Sequence, residues 1–318
     1  MGQATNFSSG DFVAVLIMIE GVGWFSKPAC DSLVVPLAPD GTWATNITTG
    51  GVDQTAVRIV AYLLPSSVTP TCLESAGGLP ENLESNAKAR AFVTRYERAI
   101  SFSGYDWWLK ASAAPVGPSA NFFSDSTDNV WLDDQGRLHL RITNRNNVWY
   151  CPEVISQQTP GYGTNTWVLD SPVDNLDPNV VLGFFTWSDN EQIPGYHELD
   201  IEFSRWGDAS DTNNAQYIVQ PLIPSGVMQR FQIPSGIQPS SHVLQWQPSQ
   251  IFFQSAGDTI INQWSYTGTV PVPGDQNVRM NLWLMGGNPP TNGQEVEVII
   301  RSYQFTPLKK VRGQITSE

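Results

Sequence analysis

Short hydrophobic runs separated by turn-forming residues dominate the first part of the chain. Between Phe12 and Pro65 the runs are VAVLIMI, SLVVPL and AVRIVAYLL, with pieces such as APDGTW and TTGG between them. Runs of this length, bounded by Gly, Pro, Asp and Thr, are typical of β-strands joined by turns. The segment is therefore predicted to form a small β unit.

The same pattern continues from Ile100 to the end of the chain with many more strands. About eleven strand-like segments fall within roughly 220 residues, which predicts two packed antiparallel sheets and an all-β fold class. The segments are ISFSGYDWWLK, GRLHLRIT, VWYCPEVISQ, YGTNTWVL, VVLGFFTW, YHELDIEFS, NAQYIVQP, SHVLQWQP, QIFFQ, NVRMNLWLM and EVEVIIRSYQF.

A polar stretch from Ser75 to Asn86, SAGGLPENLESN, separates the two strand-rich regions. The following NAKARAFVTRY is predicted to be either a short helix or an extended connector. We place a domain boundary near Arg98, which gives a small amino-terminal β domain over 1–97 and a second domain over 98–318. Trp24 and Trp43 in the first domain are interpreted as core residues, with sugar stacking as the alternative.

Composition limits the classes of partner. The chain has 318 residues and a formal net charge of −13, so nucleic acid would be repelled. No apolar run reaches the roughly 18 residues of a membrane helix. The first residues, MGQATNFSSGDF, lack the basic start of a signal peptide, so none is predicted here. A neutral polysaccharide remains compatible with such an acidic, Trp-rich surface.

The cysteines and histidines do not suggest a metal or cofactor. Cys30 and Cys72 lie close enough in sequence to pair with each other, and three buried thiols, including Cys151, are an equally good interpretation. No phosphate-binding, dinucleotide-binding or nucleophile-elbow motif occurs, so we predict no cofactor. The dispersed histidines are predicted to be structural; they are His139, His197 and His242.

One strand carries the candidate chemistry. In YHELDIEFS, alternation places the three acids Glu198, Asp200 and Glu202 on one face of the strand. Aligned like charges repel each other and acidic residues are poor strand formers, so a solvated face would seldom be built this way. The same face also carries Tyr196 and Ser204, and the opposite, core-facing side carries Leu199, Ile201 and Phe203.

Two carboxyl groups on one surface suit glycoside hydrolysis. A retaining enzyme needs them about 5 to 5.5 Å apart. The Cα atoms of Glu198 and Glu202 would lie about 13 Å apart in an extended strand, and long side chains on a concave sheet can close that gap. We therefore expect retention. The charge of Asp200 between them is expected to keep one glutamate protonated.

The motif ELDIEF resembles the E-x-D-x-E strand of glycoside hydrolase family 16, in the unbulged form typical of lichenases. Further matches in the family's order are YGT near Tyr162, FFTW ending at Trp187, HVLQWQP ending at Pro248 and MNLW from Met280 to Trp283. The resemblance implies a concanavalin A-like β-jelly roll over 98–318. It also implies that Glu198 is the nucleophile, Asp200 the assisting residue and Glu202 the acid/base.

The resemblance also implies a sugar-binding cleft on the same sheet and no structural calcium. Arg301 stands near the position where family members carry a calcium-binding aspartate, so no metal is expected. The candidate sugar contacts are aromatic, which favours stacking, or are amides, which can bond to hydroxyl groups. They are Trp187, Trp283, Asn281, Phe185, Tyr196, Gln216 and Gln220.

The predicted function is a retaining, endo-acting glycoside hydrolase of a β-linked polysaccharide, with a β-glucan as the first choice. A transglycosylase uses the same intermediate and differs only in which acceptor intercepts it. The alternative from another class is a lectin-like carbohydrate-binding protein without turnover. A polymer substrate of this kind makes an extracellular, secreted location the expected one.

Overall fold

The computed structural model describes residues 1–94, 96, 98–189, 194–222 and 227–309. The chain divides into two compact units: an amino-terminal unit of Met1–Glu97 with Ala111–Val116, and a jelly-roll unit of Arg98–Lys110 with Gly117–Glu318. Among the described residues, no helix combines the length and apolar character that crossing a bilayer demands.

The amino-terminal unit is built on one antiparallel sheet. Its strands run in the order β7-β3-β2-β6-β8, with β4 added beside β2, while β1 and β5 pair separately. The elements are β1 (Gly2–Gln3), β2 (Phe12–Ile19), β3 (Gly23–Lys27), β4 (Val35–Pro36), β5 (Thr42–Trp43), a 3₁₀ turn (Asp53–Thr55), β6 (Ala56–Leu64), β7 (Glu74–Ala76), α1 (Glu81–Asn86) and β8 (Ala89–Thr94).

Both tryptophans of this unit lie against its apolar clusters. Trp24 is buried in a cluster with β2 and β6 residues on one side of the sheet, and the half-buried Trp43 packs against the cluster on the other side. Of the two alternatives predicted for NAKARAFVTRY, the structure has the extended one. Ala89–Thr94 is extended and pairs with β6, and the helix lies earlier, at Glu81–Asn86.

The open question about the cysteines is answered within this unit. Cys30 and Cys72 form a disulfide, with their Cα atoms 5.1 Å apart, and Cys151 is a free, buried thiol in the jelly-roll unit. The disulfide closes a loop whose ends are 42 residues apart in sequence. Cross-linking a loop of this length removes its closure entropy from the unfolded chain.

A Cys30→Ser/Cys72→Ser variant is expected to lower the free energy of unfolding of the amino-terminal unit by about 4 kcal/mol, because the unfolded loop regains its entropy. Hydrogen exchange at the amides of β2 and β6 measures this unit directly. Amides of the jelly-roll unit serve as the internal control. Unchanged protection at β2 and β6 would contradict the expectation.

The described part of the jelly-roll unit contains seventeen further strands. They are β9 (Ala99–Phe102), β10 (Tyr105–Leu109), β11 (Phe122–Phe123), β12 (Val130–Leu132), β13 (Leu138–Arg145), β14 (Val148–Cys151), β15 (Glu153–Ser156), β16 (Gly163–Leu169), β17 (Val180–Trp187), β18 (Leu199–Phe203), β19 (Ala215–Val219), β20 (Met228–Phe231), β21 (Ser240–Gln247), β22 (Gln250–Ala256), β23 (Ile260–Tyr266), β24 (Asn277–Leu284) and β25 (Val296–Pro307), with 3₁₀ turns at Pro194–His197 and Met285–Gly287.

These strands form two sheets that pack face to face. The inner sheet has the order β20-β19-β18-β17-β24-β15-β10-β9, and the outer sheet has the order β11-β14-β13-β25-β16-β21-β22-β23, with β12 beside β13. Aromatic pairs join the two layers. Trp167 of the outer sheet stacks on Phe184 of the inner sheet at 5.2 Å, and Phe253 stacks on Tyr217 at 5.0 Å. The predicted all-β jelly roll is confirmed.

Two predicted strands are each divided in the structure. ISFSGYDWWLK is a hairpin of β9 and β10, because Ser103 and Gly104 both take positive φ angles in a two-residue turn. VWYCPEVISQ is split at Pro152, so β14 lies in the outer sheet and β15 in the inner sheet. Proline has no N–H to offer a sheet, which makes it a natural crossing point.

Candidate active site

The three acids lie on the inner sheet, on or next to its strand β18. Leu199, Ile201 and Phe203 have no exposed surface, as the alternation predicts for the core side. Glu198 immediately precedes the strand, and Asp200 and Glu202 lie within it. Glu198 and Glu202 are half-buried, whereas Asp200 is only 3% exposed.

Backbone hydrogen bonds fix the position of Glu198 just before β18. The N–H of Glu198 donates to the carbonyl of Gly195 at 2.8 Å, and the N–H of Gln220 donates to the carbonyl of Glu198 at 3.0 Å. Gly195 has a φ of +63°, and a Cβ there would lie 2.8 Å from the backbone of Gln220. Only glycine meets both conditions without strain.

The neighbours of the acids follow from the strand register, because residues directly opposite each other share a face. Gln216 of β19 lies opposite Glu202, and its Nε2 donates to the Glu202 Oε2 at 2.8 Å. On the other side, Gly183 of β17 lies opposite Glu202, and Phe185 lies opposite Asp200. The structure therefore brings Gln216 and Phe185 next to the acids.

The next strand, β24, extends the same face. Asn281 lies opposite Gly183, and Trp283 follows two residues later on the same side. A Cβ at Gly183 would lie only 2.6 Å from the Asn281 Oδ1, so the missing side chain leaves room for this amide between β24 and Glu202. Both Asn281 and Trp283 are buried, at 2% and 6% exposure.

The remaining candidates lie at the edges of this face. Trp187 is half-buried at the end of β17, opposite Asn277 of β24. Gln220 follows β19 and is half-buried, with its backbone bonded to Glu198. Tyr196 belongs to the 3₁₀ turn, and its side chain lies outside the described part of the chain.

Burial governs the protonation of the first two acids. It raises the pKa of Glu198 to about 8, with a further upward contribution from the charge of Glu202. Burial also raises the pKa of Asp200 well above its usual range, helped by the charges of Glu198 and Glu202. A hydrogen bond between Asp200 and Glu198 favours the proton on Asp200 and the charge on Glu198.

The pKa of Glu202 is also raised by burial. Burial raises its pKa to about 7, while the hydrogen bond from Gln216 and the charge of Arg230 act in the opposite direction. From the sequence, we expected the charge of Asp200 to keep one glutamate protonated. The structure corrects this, because desolvation is the largest influence on all three acids and the pKa of Asp200 is itself raised.

A Glu198→Gln variant is expected to be more stable than the parent protein at pH 8 and nearly equal to it at pH 4. The pKa of this glutamate is about 8 in the folded protein and about 4.3 when unfolded. The folded state therefore binds more protons between these values, so stability falls as the pH rises. The glutamine carries no such penalty.

Melting temperatures measured from pH 4 to pH 8 check this expectation. An Asp258→Asn variant, in an exposed turn between β22 and β23, is the matched control and should shift little across the series. A constant difference in melting temperature between Glu198→Gln and the parent protein would contradict the assigned ionisation.

Several charged neighbours of the acids were missed by the sequence prediction. Arg279 on β24 shares a face with Asn281 and Trp283, so period-two alternation within NVRMNLW could have found it. Glu153 could not be found, because the break at Pro152 hides the register of β15. Arg230 on β20 lies opposite Gln216, a pairing that only the sheet order reveals.

The histidines occupy structural positions. His242 is fully buried between the hydroxyl groups of Ser240 and Ser255, each 2.9 Å from a ring nitrogen. Among the described residues, metal-ligand atoms converge only at Cys30, Cys72 and Glu74, where the disulfide engages both sulfurs. The guanidinium of Arg301 pairs with Asp170 at 2.5 Å on the outer sheet, and His139 lies between Asp133 and Glu297 on that sheet.

The jelly-roll unit has the concanavalin A-like fold of the glycoside hydrolase family 16 glucanases. A β-glucanase of Bacillus licheniformis superposes with a TM-score of 0.51 at 19% identity, over 66% of this chain and 98% of its own. A family 16 endo-glucanase of Bacteroides ovatus superposes with a TM-score of 0.51 at 13% identity, over 66% of this chain and 99% of its own.

A third similar structure is a pseudo-β-1,3-glucanase of Mycobacterium tuberculosis, with a TM-score of 0.51 and 20% identity over 64% of this chain and 91% of its own. No protein-family model matches the sequence, and no curated protein matches it. At these identities the similarity establishes the fold, and the activity has to be argued from the site.

Proposed function

We propose that the chain is a retaining, endo-acting glycoside hydrolase that cleaves a β-linked glucan. The observation that carries the proposal is the set of three neighbouring carboxyl groups on or next to β18, all with raised pKa values, on the inner sheet of this fold. A binding protein has no need to keep one buried and two half-buried acids together, because each loses hydration that a sugar contact does not return.

In the proposed first step, a Glu198 oxygen attacks the anomeric carbon while Glu202 transfers its proton to the glycosidic oxygen. The bond to the leaving sugar breaks, and an ester to Glu198 forms. The pKa values of Glu198 and Glu202, about 8 and about 7, leave both groups partly protonated near neutrality. The reactive form has the proton on Glu202 and the charge on Glu198, and the hydrogen bond from the protonated Asp200 to Glu198 favours that form.

In the second step, Glu202 removes a proton from water, and the water oxygen displaces Glu198 from the sugar. Loss of the Glu198 charge in the ester lowers the pKa of Glu202, so the same residue changes from acid to base. Two inversions at one carbon give net retention. Trp187, Phe185 and Trp283 supply ring faces for stacking, while Asn281, Gln216 and Gln220 supply amides.

Release of reducing ends from lichenan, laminarin, xyloglucan, agarose and carrageenan tests the proposal. We expect release from one or more β-glucans and none from the same panel with Glu198→Ala. Activity that survives this substitution would refute the role of Glu198. New glycosidic bonds in place of reducing ends would identify a transglycosylase.

The pseudo-glucanase among the similar structures supports a second candidate, a carbohydrate-binding protein without turnover. Glucan binding measured by calorimetry, with no reducing ends released by the parent protein, would establish that alternative. Endo action is tested separately by the fall in viscosity of the polymer, which precedes extensive sugar release only when cuts are internal.

A further inference from the structure

A chain of four buried ionic side chains lies beside the acids on the inner sheet. Arg279 is paired with Asp189 at 2.9 Å and with Glu153 at 3.3 Å, and Glu153 is also paired with Lys110 at 3.1 Å. None of these side chains is more than 7% exposed. Because two of these four side chains are positive and two are negative, this ionic chain has no net charge.

The strand register places this ionic chain on the face of the acids. Phe185 lies opposite Asp200 on one side and opposite Arg279 on the other. In the neighbouring row, Asn281 lies opposite Glu153 and donates to it at 3.4 Å. Adjacent strands are about 4.8 Å apart, so Arg279 is two strands, roughly 10 Å along the sheet, from Asp200.

Packing alone gives no reason for such a chain. Taking four charged groups out of water is costly, and apolar side chains of similar size would stabilise the sheet at least as well. Buried ions that fold stability does not require are most often found where they serve a site. Arg279 is the member whose charge reaches the acids, because its positive charge favours the ionised form of Glu198.

We propose that Arg279 is a positioning residue that acts on Glu198, its guanidinium held by Asp189 and Glu153 on the face of the inner sheet that carries the acids. The proposal rests on the function proposed above, since a nucleophile must be ionised to attack. Two carboxylate partners fix the planar guanidinium in direction as well as in position, which a single partner would not do.

Glu198 and Glu202 have similar charged surroundings. Glu198 is influenced by the charges of Glu202 and Arg279 and by its hydrogen bond to Asp200, and Asp189 is paired with Arg279. Glu202 is influenced by Gln216 and by Arg230, which is paired with Asp211 at 2.9 Å. Each glutamate thus has one arginine near it, and each arginine has an aspartate partner. The Arg230 pair therefore provides a matched comparison.

The titration of Glu198 in protein carrying ¹³C at the glutamate carboxyl carbons tests the proposal without any substrate. Glu198→Gln assigns the resonance. In Arg279→Met/Asp189→Asn, which removes one charge of each sign and leaves Glu153 with Lys110, the midpoint of Glu198 should rise by about one pH unit. The acid limb of kcat/KM on the glucan should rise with it.

Arg230→Met/Asp211→Asn is the matched control and should move the midpoint of Glu202 more than that of Glu198. Arg279→Lys keeps the charge and should keep the Glu198 midpoint closer to the parent value than the double variant does. If the double variant does not fold, Asp189→Asn alone still tests the proposal. Loss of the negative charge paired with Arg279 should lower the Glu198 midpoint.

A Glu198 midpoint that is the same in the parent protein and in the folded Arg279 double variant would overturn the proposal. So would an Asp189→Asn midpoint that does not fall. Absence of glucan hydrolysis by the parent protein would instead refute the proposed function, while the carboxyl titration would still report whether Arg279 sets the ionisation of Glu198.

Discussion

Replacing Glu198 with alanine is expected to lower kcat on a cleavable β-glucan by about 10⁴-fold or more, because the ester intermediate can no longer form. Added azide should restore turnover of a β-aryl glycoside well. It should restore turnover of an activated α-glycosyl fluoride only poorly. The restored product should be the α-glycosyl azide, since azide enters the space of the lost carboxylate in a single inverting displacement.

The control for this variant is Glu297→Ala on the outer sheet, where an exposed glutamate lies 2.7 Å from the ring of His139. Its kcat should stay within a few-fold of the parent value, on the order expected for a residue remote from the chemistry. Product identity is read from the coupling of the anomeric proton in NMR spectra. A β-glycosyl azide from Glu198→Ala would contradict the assignment of the nucleophile.

Replacing Glu202 with alanine is expected to lower kcat on the polymer by about 10³-fold, because the leaving sugar is no longer protonated. The effect should depend on the leaving group. A dinitrophenyl glycoside needs no proton, so its first step should stay fast, and a burst of phenolate should precede slow release of the ester. Stopped-flow absorbance measures the burst directly.

Azide should also act on the Glu202→Ala variant, with the opposite stereochemistry. Here azide intercepts the ester to Glu198, so two inversions give the β-glycosyl azide. Equal losses on the polymer and on the dinitrophenyl glycoside, without a burst, would show that Glu202 does not protonate the leaving group.

The face of the acids is predictable because strand alternation depends on local sequence alone. Leu199, Ile201 and Phe203 have no exposed surface, and their polar neighbours lie on the other side of β18. The jelly roll is predictable for a similar reason, since most of its strands are hydrophobic runs ended by turns. Strand β23 escaped the prediction because it is an edge strand of mixed, largely exposed residues without such a run.

Features that depend on which strands pair could not be predicted from the sequence. Arg279 and Glu153 are 126 residues apart in sequence, and their contact exists only because β15 and β24 are adjacent. The disulfide was left open for the same reason, since its Cα separation comes from tertiary structure. The raised pKa values depend on burial, which alternation indicates only in part.

The same limit explains why both a helix and an extended segment were predicted for NAKARAFVTRY. Alanine, lysine and arginine are good helix formers, and the local pattern does not exclude a helix. The edge of β6, however, offers a row of backbone partners to the segment, and Ala89–Thr94 pairs with it from Arg58 to Leu63. Tertiary pairing outweighs local preference here, whereas for ELDIEF the two agree.

Covalent trapping with a 2-deoxy-2-fluoro oligoglucoside bearing a dinitrophenyl leaving group would identify the nucleophile. The fluorine slows both steps, and the activated leaving group lets the first proceed, so the ester accumulates. We expect a mass increase of one fluorinated oligosaccharide, mapped by peptide mass spectrometry to Glu198 and absent from Glu198→Gln. A label on Glu202, or turnover of the natural polymer with inversion of the anomeric centre, would contradict it.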